Sequence, residues 1–245
     1  MIEVKKLTKT FFNGNGVRNI SFTIKRGDIV GMVGDNGAGK STIIKSIFNE
    51  YKKDSGELFY DGVPMKKTLF KEASFFPDQS LYPNNITVKN FCLYSGILSG
   101  LKNKESKVRT DQLLKYLGLV EYRNKTFKKL SAGMQKRALL AITMVSDPNI
   151  IIFDEPTANL DVSTRVEFME LIKKLARQDK IILITSHIIN ELQGLINKLI
   201  IIKEGELVFG QYLAQNDNIL DIYKKFTKAN GEQKGMKNIL DVFSS

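Results

Sequence analysis

The sequence predicts an α/β fold with a largely parallel sheet, and three observations support that prediction. Ile29–Val33, Asn149–Phe153 and Ile181–Thr185 are short, continuous apolar runs, which are typical of parallel strands buried on both faces. The first two runs are followed by stretches with apolar residues at helical spacing, at 39–48 and 162–175. Strands that alternate with helices in this way form parallel sheets. With 245 residues and 42% apolar content, the chain is long enough to bury the core of one domain.

Further strands flank these runs on both sides. Ile2–Leu7 and Ser21–Ile24 alternate like half-buried strands, and the Asn-Gly-Asn-Gly segment between them is a strong turn signal. We therefore expect N-terminal antiparallel strands beside the parallel sheet. The other segments with a strand pattern are Gly56–Tyr60, Ala73–Phe76, Leu199–Ile202 and Glu206–Phe209.

Two regions carry a helical pattern instead. Residues from about 80–130 show helical stretches and no convincing strand, which predicts an α-helical subdomain inserted into the α/β core. Ser131–Val145, directly after it, is another helix candidate. Residues from about 211–245 predict a C-terminal tail of helices joined by a polar stretch. We expect residues 1–245 to form a single domain that carries these two additions.

Composition narrows the choice of partners and compartment. The net charge of +11 comes from 37 Lys and Arg against 26 Asp and Glu, an excess that could favour nucleic acid or an anionic membrane face. The lysines are scattered, however, so no nucleic-acid partner is expected. No apolar stretch approaches the roughly 18 to 20 residues of a spanning helix, and the start lacks a secretory apolar core. Cys92, the single cysteine, predicts a buried thiol in a reducing compartment, so we expect a cytosolic protein.

The residues after the first apolar run carry the clearest chemical signal. Gly34–Ser41 fits the pattern G-x-x-x-x-G-K-[ST], between a predicted strand and a predicted helix. Its glycines let the backbone wrap tightly, so that N–H groups and the helix N-terminus point at phosphate oxygens. The Lys40 ammonium suits the β- and γ-phosphates, and the Ser41 hydroxyl suits Mg²⁺. The predicted nucleotide-binding residues of this loop are Asn36, Gly37, Ala38, Gly39, Lys40, Ser41 and Thr42.

Two carboxylates, Asp154 and Glu155, follow the second apolar run. Adjacent strand residues point to opposite sides, so the two can act differently at the carboxyl end of the sheet, where ligands bind in open α/β folds. Phosphoryl transfer needs a metal, a lysine and an oriented nucleophile together. We therefore predict that Asp154 holds Mg²⁺ and that Glu155 polarises the attacking water. The alternative is a pair of solvated carboxylates at a strand end.

Three more segments narrow the class of protein. Leu130–Arg137 (LSAGMQKR) resembles the signature loop of ABC ATPases, whose usual form is LSGGQ. Pro156–Asp161 follows Glu155 as the D-loop of that family does, and His187 ends the next strand like the family's switch histidine. With the two earlier motifs, the resemblance covers about residues 2–210 in the family's order and spacing.

The resemblance assigns roles to four residues of these segments. Ser131 and Gly133 would meet the ATP of an opposite subunit, so that two chains bury two nucleotides between them. Asp161 would contact the phosphate loop across this dimer, and His187 would contact the γ-phosphate and the attacking water. Plainer roles stay open, because Ser131 and Asp161 can both cap helices and a lone histidine at a strand end is usually structural.

The adenine side of the nucleotide site is less defined. Leu7–Phe11 resembles the family segment whose aromatic ring stacks on adenine, which makes Phe11 the candidate and Phe12 its rival. Core packing is the alternative for one of the two rings. Val17 is assigned to the same nucleotide site.

The Q-loop of the family has two candidates here. Residues 75–82 resemble that segment, in which a glutamine follows a proline. Counting from Pro77 points to Asp78, whereas residue type points to Gln79. We assign Gln79 as the residue that touches Mg²⁺ and reports the nucleotide state to the helical insertion, and Asp78 stays the alternative.

Taken as a whole, the resemblance implies a P-loop NTPase: a RecA-like core with a mostly parallel sheet, N-terminal antiparallel strands and an inserted helical subdomain. It implies ATP and Mg²⁺ as ligands, a homodimer or pseudo-homodimer, and a transmembrane permease that holds the chain at the inner face of the membrane. The branch it most resembles serves exporters. One alternative is a soluble ABC ATPase acting on ribosomes or nucleic acid, which salt-dependent nucleic-acid binding would reveal. Another is a small-molecule kinase, which a phosphorylated acceptor would reveal.

Overall fold

The computed structural model describes residues 1–65, 71–78, 85–158 and 160–227, and these form two β-sheets and seven α-helices. The strands are β1 (Ile2–Thr10), β2 (Gly16–Ile24), β3 (Ile29–Val33), β4 (Ser55–Tyr60), β5 (Val63–Pro64), β6 (Ala73–Phe76), β7 (Ile150–Asp154), β8 (Ile181–Thr185), β9 (Lys198–Lys203) and β10 (Glu206–Tyr212). The helices are α1 (Lys40–Ile47), α2 (Val88–Leu98), α3 (Asn103–Tyr116), α4 (Ala132–Met144), α5 (Val162–Ala176), α6 (Ile189–Leu192) and α7 (Ile219–Thr227).

The larger sheet is mostly parallel and has the strand order β10-β9-β3-β8-β7-β6. Its neighbours pair in parallel, except that β10 runs antiparallel to β9. Every residue of β3 and β8 is buried, because separate apolar cores cover the two faces of the sheet. The predicted α/β fold with a largely parallel sheet is confirmed. The carboxyl ends of β3, β7 and β8 therefore lie along one edge.

The smaller sheet is antiparallel and has the order β2-β1-β4-β5, as expected for the N-terminal strands. The first strand continues to Thr10 and the second begins at Gly16, so both are longer than predicted. Lys6 and Asn19 adopt left-handed φ values of 50° and 52°, and the pairing between the strands shifts register nearby. These irregularities break the two-residue alternation. The alternation therefore predicted strands that are shorter than β1 and β2.

The described residues between β6 and α4 are mainly helical. They form α2, α3, two 3₁₀ turns and an isolated bridge between Thr87 and Thr126. Cys92 is fully buried, and its thiol donates a hydrogen bond of 3.5 Å to the Ala141 carbonyl. Burial raises the pKa of Cys92 to about 11, which matches a structural thiol. The extent of the subdomain, about 80–130, stays a prediction.

The helix that follows β10 packs against the larger sheet and its neighbouring helix. Helix α7 packs against α6 and β9, and the Phe226 ring lies 5.0 Å from the ring of Phe209. Residues 228–245 lie outside the described part of the chain, so the rest of the helical tail stays a prediction. In the ranges that the structure describes, every helix is too short or too polar to cross a bilayer.

Three aromatic rings pack together in the core beneath the larger sheet, and a substitution there tests this packing. The rings of Phe76, Phe153 and Phe168 lie 5.4 to 5.7 Å apart, and Phe168 joins α5 to the strands. Phe168→Ala is expected to lower the free energy of unfolding by about 3 to 5 kcal/mol, because it leaves a cavity. Urea denaturation measures this. Phe12→Ala, at a fully exposed ring, is the control and should change stability by less than about 0.5 kcal/mol. Equal midpoints for the two variants would contradict the packing.

Candidate functional site

The loop between β3 and α1 wraps tightly, and its glycines make this possible. A Cβ at Gly34 would lie 2.3 Å from the Ile202 carbonyl oxygen, so only glycine fits there. Gly37 and Gly39 have φ values of 84° and 111°, in the left-handed region. Gly39 caps α1 without a side-chain hydrogen bond, so the first N–H groups of the helix remain available to an anion.

Lys40 reaches back across this loop. Its Nζ donates hydrogen bonds to the carbonyl oxygens of Gly34 and Asp35, at 2.6 and 3.3 Å. Burial lowers the pKa of Lys40, while the carboxylates of Glu155, Asp154 and Asp35 act in the opposite direction. A phosphate oxygen is a stronger acceptor for an ammonium than a carbonyl, so Lys40 can exchange these partners for a phosphate.

Asp154 and Glu155 stand at the end of β7, next to the end of β8. Thr185 is paired with Asp154 in the parallel register, and its hydroxyl donates to Asp154 Oδ1. Glu155 has a left-handed φ of 47°, and its carboxylate Oε2 lies 2.8 Å from Nδ1 of His187. The sheet register thus places both carboxylates beside the end of β8, and His187, shortly after that end, contacts Glu155.

Two adjoining cavities surround the phosphate loop, with volumes of about 450 and 420 Å³. The first holds the loop and both carboxylates, and the second adds His187 and Tyr223. Both are lined by Asp35, Asn36, Asp78 and Glu155, which makes them parts of one groove. The predicted site residues that line the first cavity are Phe11, Asn36, Gly37, Ala38, Gly39, Lys40, Ser41, Thr42, Asp154 and Glu155.

The aromatic candidates take different positions. Phe11 lines the first cavity and packs edge-on against Tyr51, with 5.3 Å between ring centroids, whereas Phe12 is fully exposed to solvent. Val17 has an exposure of 0% and packs beneath the loop, where its Cγ1 would lie 2.4 Å from a Cβ on Gly39. The structure does not support a side-chain contact from Val17 to a nucleotide, because the residue belongs to the core that supports the loop.

The first residues of the signature segment do not line these cavities. Ser131 is exposed and caps α4 by accepting a hydrogen bond of 3.4 Å from the Met134 N–H. Space is open around Gly133, where an added Cβ would meet nothing within 4 Å. Neither Ser131 nor Gly133 is among the described residues that line the two cavities. Among the described residues, Ser131 and Gly133 therefore do not form part of the groove around the phosphate loop of their own chain.

Asp161 is an exposed N-cap of α5. Its carboxylate accepts from the Ser163 hydroxyl at 2.6 Å and from the Thr164 N–H and hydroxyl at 2.9 and 2.8 Å. These hydrogen bonds, with that from Ser163 the largest contribution, hold the pKa of Asp161 well below its usual range. The capping role raised from the sequence is present, and the cross-dimer contact stays a prediction.

The Q-loop is described only in part. Asp78 lines both cavities, and Gln79 lies outside the described residues. The choice between them therefore stays a prediction.

Three residues of this region were missed by sequence reasoning. The Thr185 hydroxyl could have been found, because parallel strand ends bring it beside Asp154. Tyr223 of α7 donates a hydrogen bond of 2.8 Å to Asp35, and burial followed by this bond raises the pKa of Tyr223 to about 12. Lys136 of α4 is buried and donates to the Glu155 carbonyl at 3.1 Å. No local pattern predicts the last two contacts.

The oxygen donors of the groove fit a small hard cation. Ser41 supplies a hydroxyl and Asp154 a carboxylate in the same cavity, and Mg²⁺ prefers such ligands. Within the described ranges, no group of three or more His, Cys, Asp or Glu side chains forms a metal cluster. This donor set suits an ion held by one or two protein oxygens together with substrate phosphates.

A parallel sheet with a phosphate loop and two carboxylates at its carboxyl edge defines a nucleoside-triphosphate-binding protein of the P-loop class. A family model described as ABC transporter matches residues 17–158, more than half of the sequence. The chain belongs to the ABC transporter family. It is an ATP-binding subunit, and it hydrolyses ATP.

Relatives and a solved structure agree with this assignment. The chain is 36% identical over 198 residues to the ABC transporter ATP-binding protein NatA of Bacillus subtilis, with 79% of this chain and 80% of NatA covered. It is 31% identical to the SkfA peptide export protein SkfE of B. subtilis (95% and 98% covered) and 33% identical to the phosphonates import protein PhnC of Shouchella clausii (85% of each). A dimeric, post-hydrolysis ATP-binding cassette bound to ADP and Pi superposes with a TM-score of 0.78 at 27% identity, covering 87% of this chain and 99% of the cassette.

Proposed function

We propose that the chain drives substrate movement through a separate transmembrane partner, as a head-to-tail dimer that closes on two ATP molecules and reopens after hydrolysis. The position of Ser131 carries this proposal. It presents the N-terminus of α4 to solvent, away from the phosphate loop of its own chain. An anion site of this kind is completed when a second chain brings its own loop-bound nucleotide. The dimeric cassette bound to ADP and Pi supports this arrangement.

The residues of such a site have separate roles in binding the nucleotide and in hydrolysing it. The loop N–H groups and Lys40 bind the phosphates, and Glu155 polarises the attacking water while His187, 2.8 Å from its carboxylate, orients it. Ser41 and Asp154 would hold Mg²⁺, together with Gln79 or Asp78. The ion supplies charge neutralisation at the phosphate oxygens. Asp161 contacts the opposite loop in this proposal.

Ser131→Arg in a Glu155→Gln background tests the division between chains. The arginine obstructs the face offered to the partner but leaves Lys40 and the loop of its own chain untouched. ATP binding to the monomer should therefore stay within about threefold of the parent, since the change removes no own-chain contact. The ATP-dependent dimer should be lost on a sizing column.

An exposed position outside the predicted motifs, Asn124→Arg, serves as the control for added bulk and charge. It should bind ATP and dimerise like the parent. Two results would count against the proposal: a Ser131→Arg variant that still dimerises, or one whose monomer no longer binds ATP.

The membrane partner is tested by recovery from detergent-solubilised membranes. We expect the tagged chain to bring down a protein with several membrane spans, which would also place it at the inner face of the membrane. Recovery with ribosomes or nucleic acid, lost as salt is raised, would instead favour the soluble alternative. The match to transporter ATP-binding proteins of several systems supports the first outcome.

The proposed direction is export. The near-complete mutual coverage with the peptide export protein supports it, and the match to the phosphonates import protein is the observation against it. In inside-out vesicles that carry the recovered assembly, export predicts ATP-dependent uptake of labelled peptide into the lumen. ATP-dependent release of a preloaded substrate would reverse the assignment.

A further inference from the structure

Lys136 is a buried charge that the roles assigned above do not use. It lies on α4, and 1% of its side chain is exposed. An ammonium in such a place is stable only if it is paired and hydrogen-bonded. What it binds should therefore reveal why α4 carries a lysine on its buried face.

The partners of this ammonium belong to two motifs of the nucleotide site. Nζ donates a hydrogen bond of 3.1 Å to the main-chain oxygen of Glu155. It also lies 3.9 Å from Oδ1 of Asp78, in the Q-loop segment, and 5.1 Å from the centre of the Phe76 ring. The Lys136 ammonium on α4 thus contacts both the residue that follows β7 and the Q-loop segment.

The Glu155 peptide needs such support. Its φ of 47° lies in the left-handed region, which is unfavourable for a residue with a side chain. Its N–H donates to Thr185 on one side, and its carbonyl accepts from Lys136 on the other. These two contacts hold the backbone that aims the Glu155 carboxylate at His187.

We infer that Lys136 is a positioning residue for ATP hydrolysis: it holds the Glu155 peptide in its left-handed conformation and joins it rigidly to the helix that Ser131 caps. The inference rests on the proposed role of Glu155. Ser131 stands one position before α4, so a single helix links the surface offered to the second nucleotide with the carboxylate that acts on the first. When Ser131 contacts the partner's ATP, α4 therefore transmits that contact to the position of the Glu155 carboxylate.

The test compares Lys136→Met with Lys136→Gln. Methionine fills a similar volume but donates nothing, whereas glutamine keeps an N–H donor without the charge. We expect Lys136→Met to lower kcat about a hundredfold, the cost of misplacing a reacting group by about 1 Å, with KM for ATP changed by less than about threefold. Lys136→Gln should lose only about tenfold, because it keeps an N–H donor directed at the Glu155 carbonyl, although its side chain is one bond shorter than that of lysine.

Lys180→Met is the matched control. Lys180 is also buried and also pairs with a carboxylate and a carbonyl, those of Asp147 and Pro148, at 2.7 and 2.8 Å. Its loss should lower thermal stability without changing kcat per folded molecule. If Lys136→Met behaves in the same way, Lys136 is structural and the inference is overturned.

A double-substitution cycle separates this inference from the proposed function. A residue that acts through Glu155 should cost nothing further in single-turnover hydrolysis once Glu155→Gln is present. A further tenfold loss on adding Lys136→Gln would overturn the inference, and this arm decides even if Lys136→Met does not fold. If Glu155→Gln alone keeps wild-type turnover, the proposed role of Glu155 fails instead. Wild-type kcat in Lys136→Met beside an inactive Glu155→Gln refutes the Lys136 inference alone.

Discussion

Glu155→Gln is expected to lower ATP turnover by about 10²- to 10⁴-fold while ATP still binds, because the amide keeps the shape of the side chain but cannot accept a proton from water. The phosphate loop and Lys40, which bind the nucleotide, are unchanged. The variant should therefore stop after dimer closure, with two chains held together by ATP that they hydrolyse only slowly. Glutamine also keeps a side-chain oxygen that can face Nδ1 of His187, which lies 2.8 Å from the Glu155 carboxylate in the wild-type chain.

Single-turnover hydrolysis and light scattering on a sizing column measure the two parts of this result. We expect a monomer without nucleotide and a dimer with ATP. Glu121→Gln, at an exposed glutamate in the helical region, is the matched control and should keep wild-type turnover. A Glu155→Gln protein that turns over ATP within twofold of wild type, or stays monomeric with ATP bound, would rule out the proposed mechanism.

Lys40→Ala is expected to weaken ATP binding by about tenfold to a hundredfold, since it removes a charge-assisted hydrogen bond to phosphate. Hydrolysis should fall with binding, because the same ammonium meets the charge that develops on the γ-phosphate. The fold should be retained. Among the described residues, the Lys40 ammonium donates to the carbonyls of Gly34 and Asp35 at the cavity wall, and water can replace it there.

Titration calorimetry with ATP and thermal denaturation together check this prediction. Lys52→Ala, at an exposed lysine beyond α1, controls for the loss of one positive charge. Its ATP affinity should match the wild type. If Lys40→Ala binds ATP normally, the groove around Gly34 is not the phosphate site; if it is unfolded, the comparison moves to Lys40→Met.

The parts of the site that could be predicted from the sequence are those formed by residues that are contiguous in the chain. Gly34–Ser41 contains the glycines that a tightly wrapped phosphate loop needs, and Asp154 and Glu155 directly follow an apolar strand. Each of these two signals is contained in its own short stretch of sequence. The continuous apolar runs likewise predicted β3, β7 and β8, because strands buried on both faces exclude polar residues.

The N-terminal strands show where the pattern was insufficient. Their apolar alternation predicted that they exist, but the irregular pairing near Lys6 and Asn19 hid their true ends. Val17 shows the same difficulty inside the site. The sequence interpretation assigned Val17 to the nucleotide site, whereas its packing beneath Gly39 depends on how β2 lies against the loop.

The class of fold, the phosphate loop, the acidic strand end and the family could be predicted from the sequence, because they depend on local backbone preference and on the order of short motifs. Other features became visible only in the folded chain: Ser131 does not line the groove of its own chain, Tyr223 donates to Asp35, and Lys136 donates to the Glu155 carbonyl. These contacts join residues from separate elements. Their distances follow from sheet register and helix packing, which no single stretch of sequence encodes.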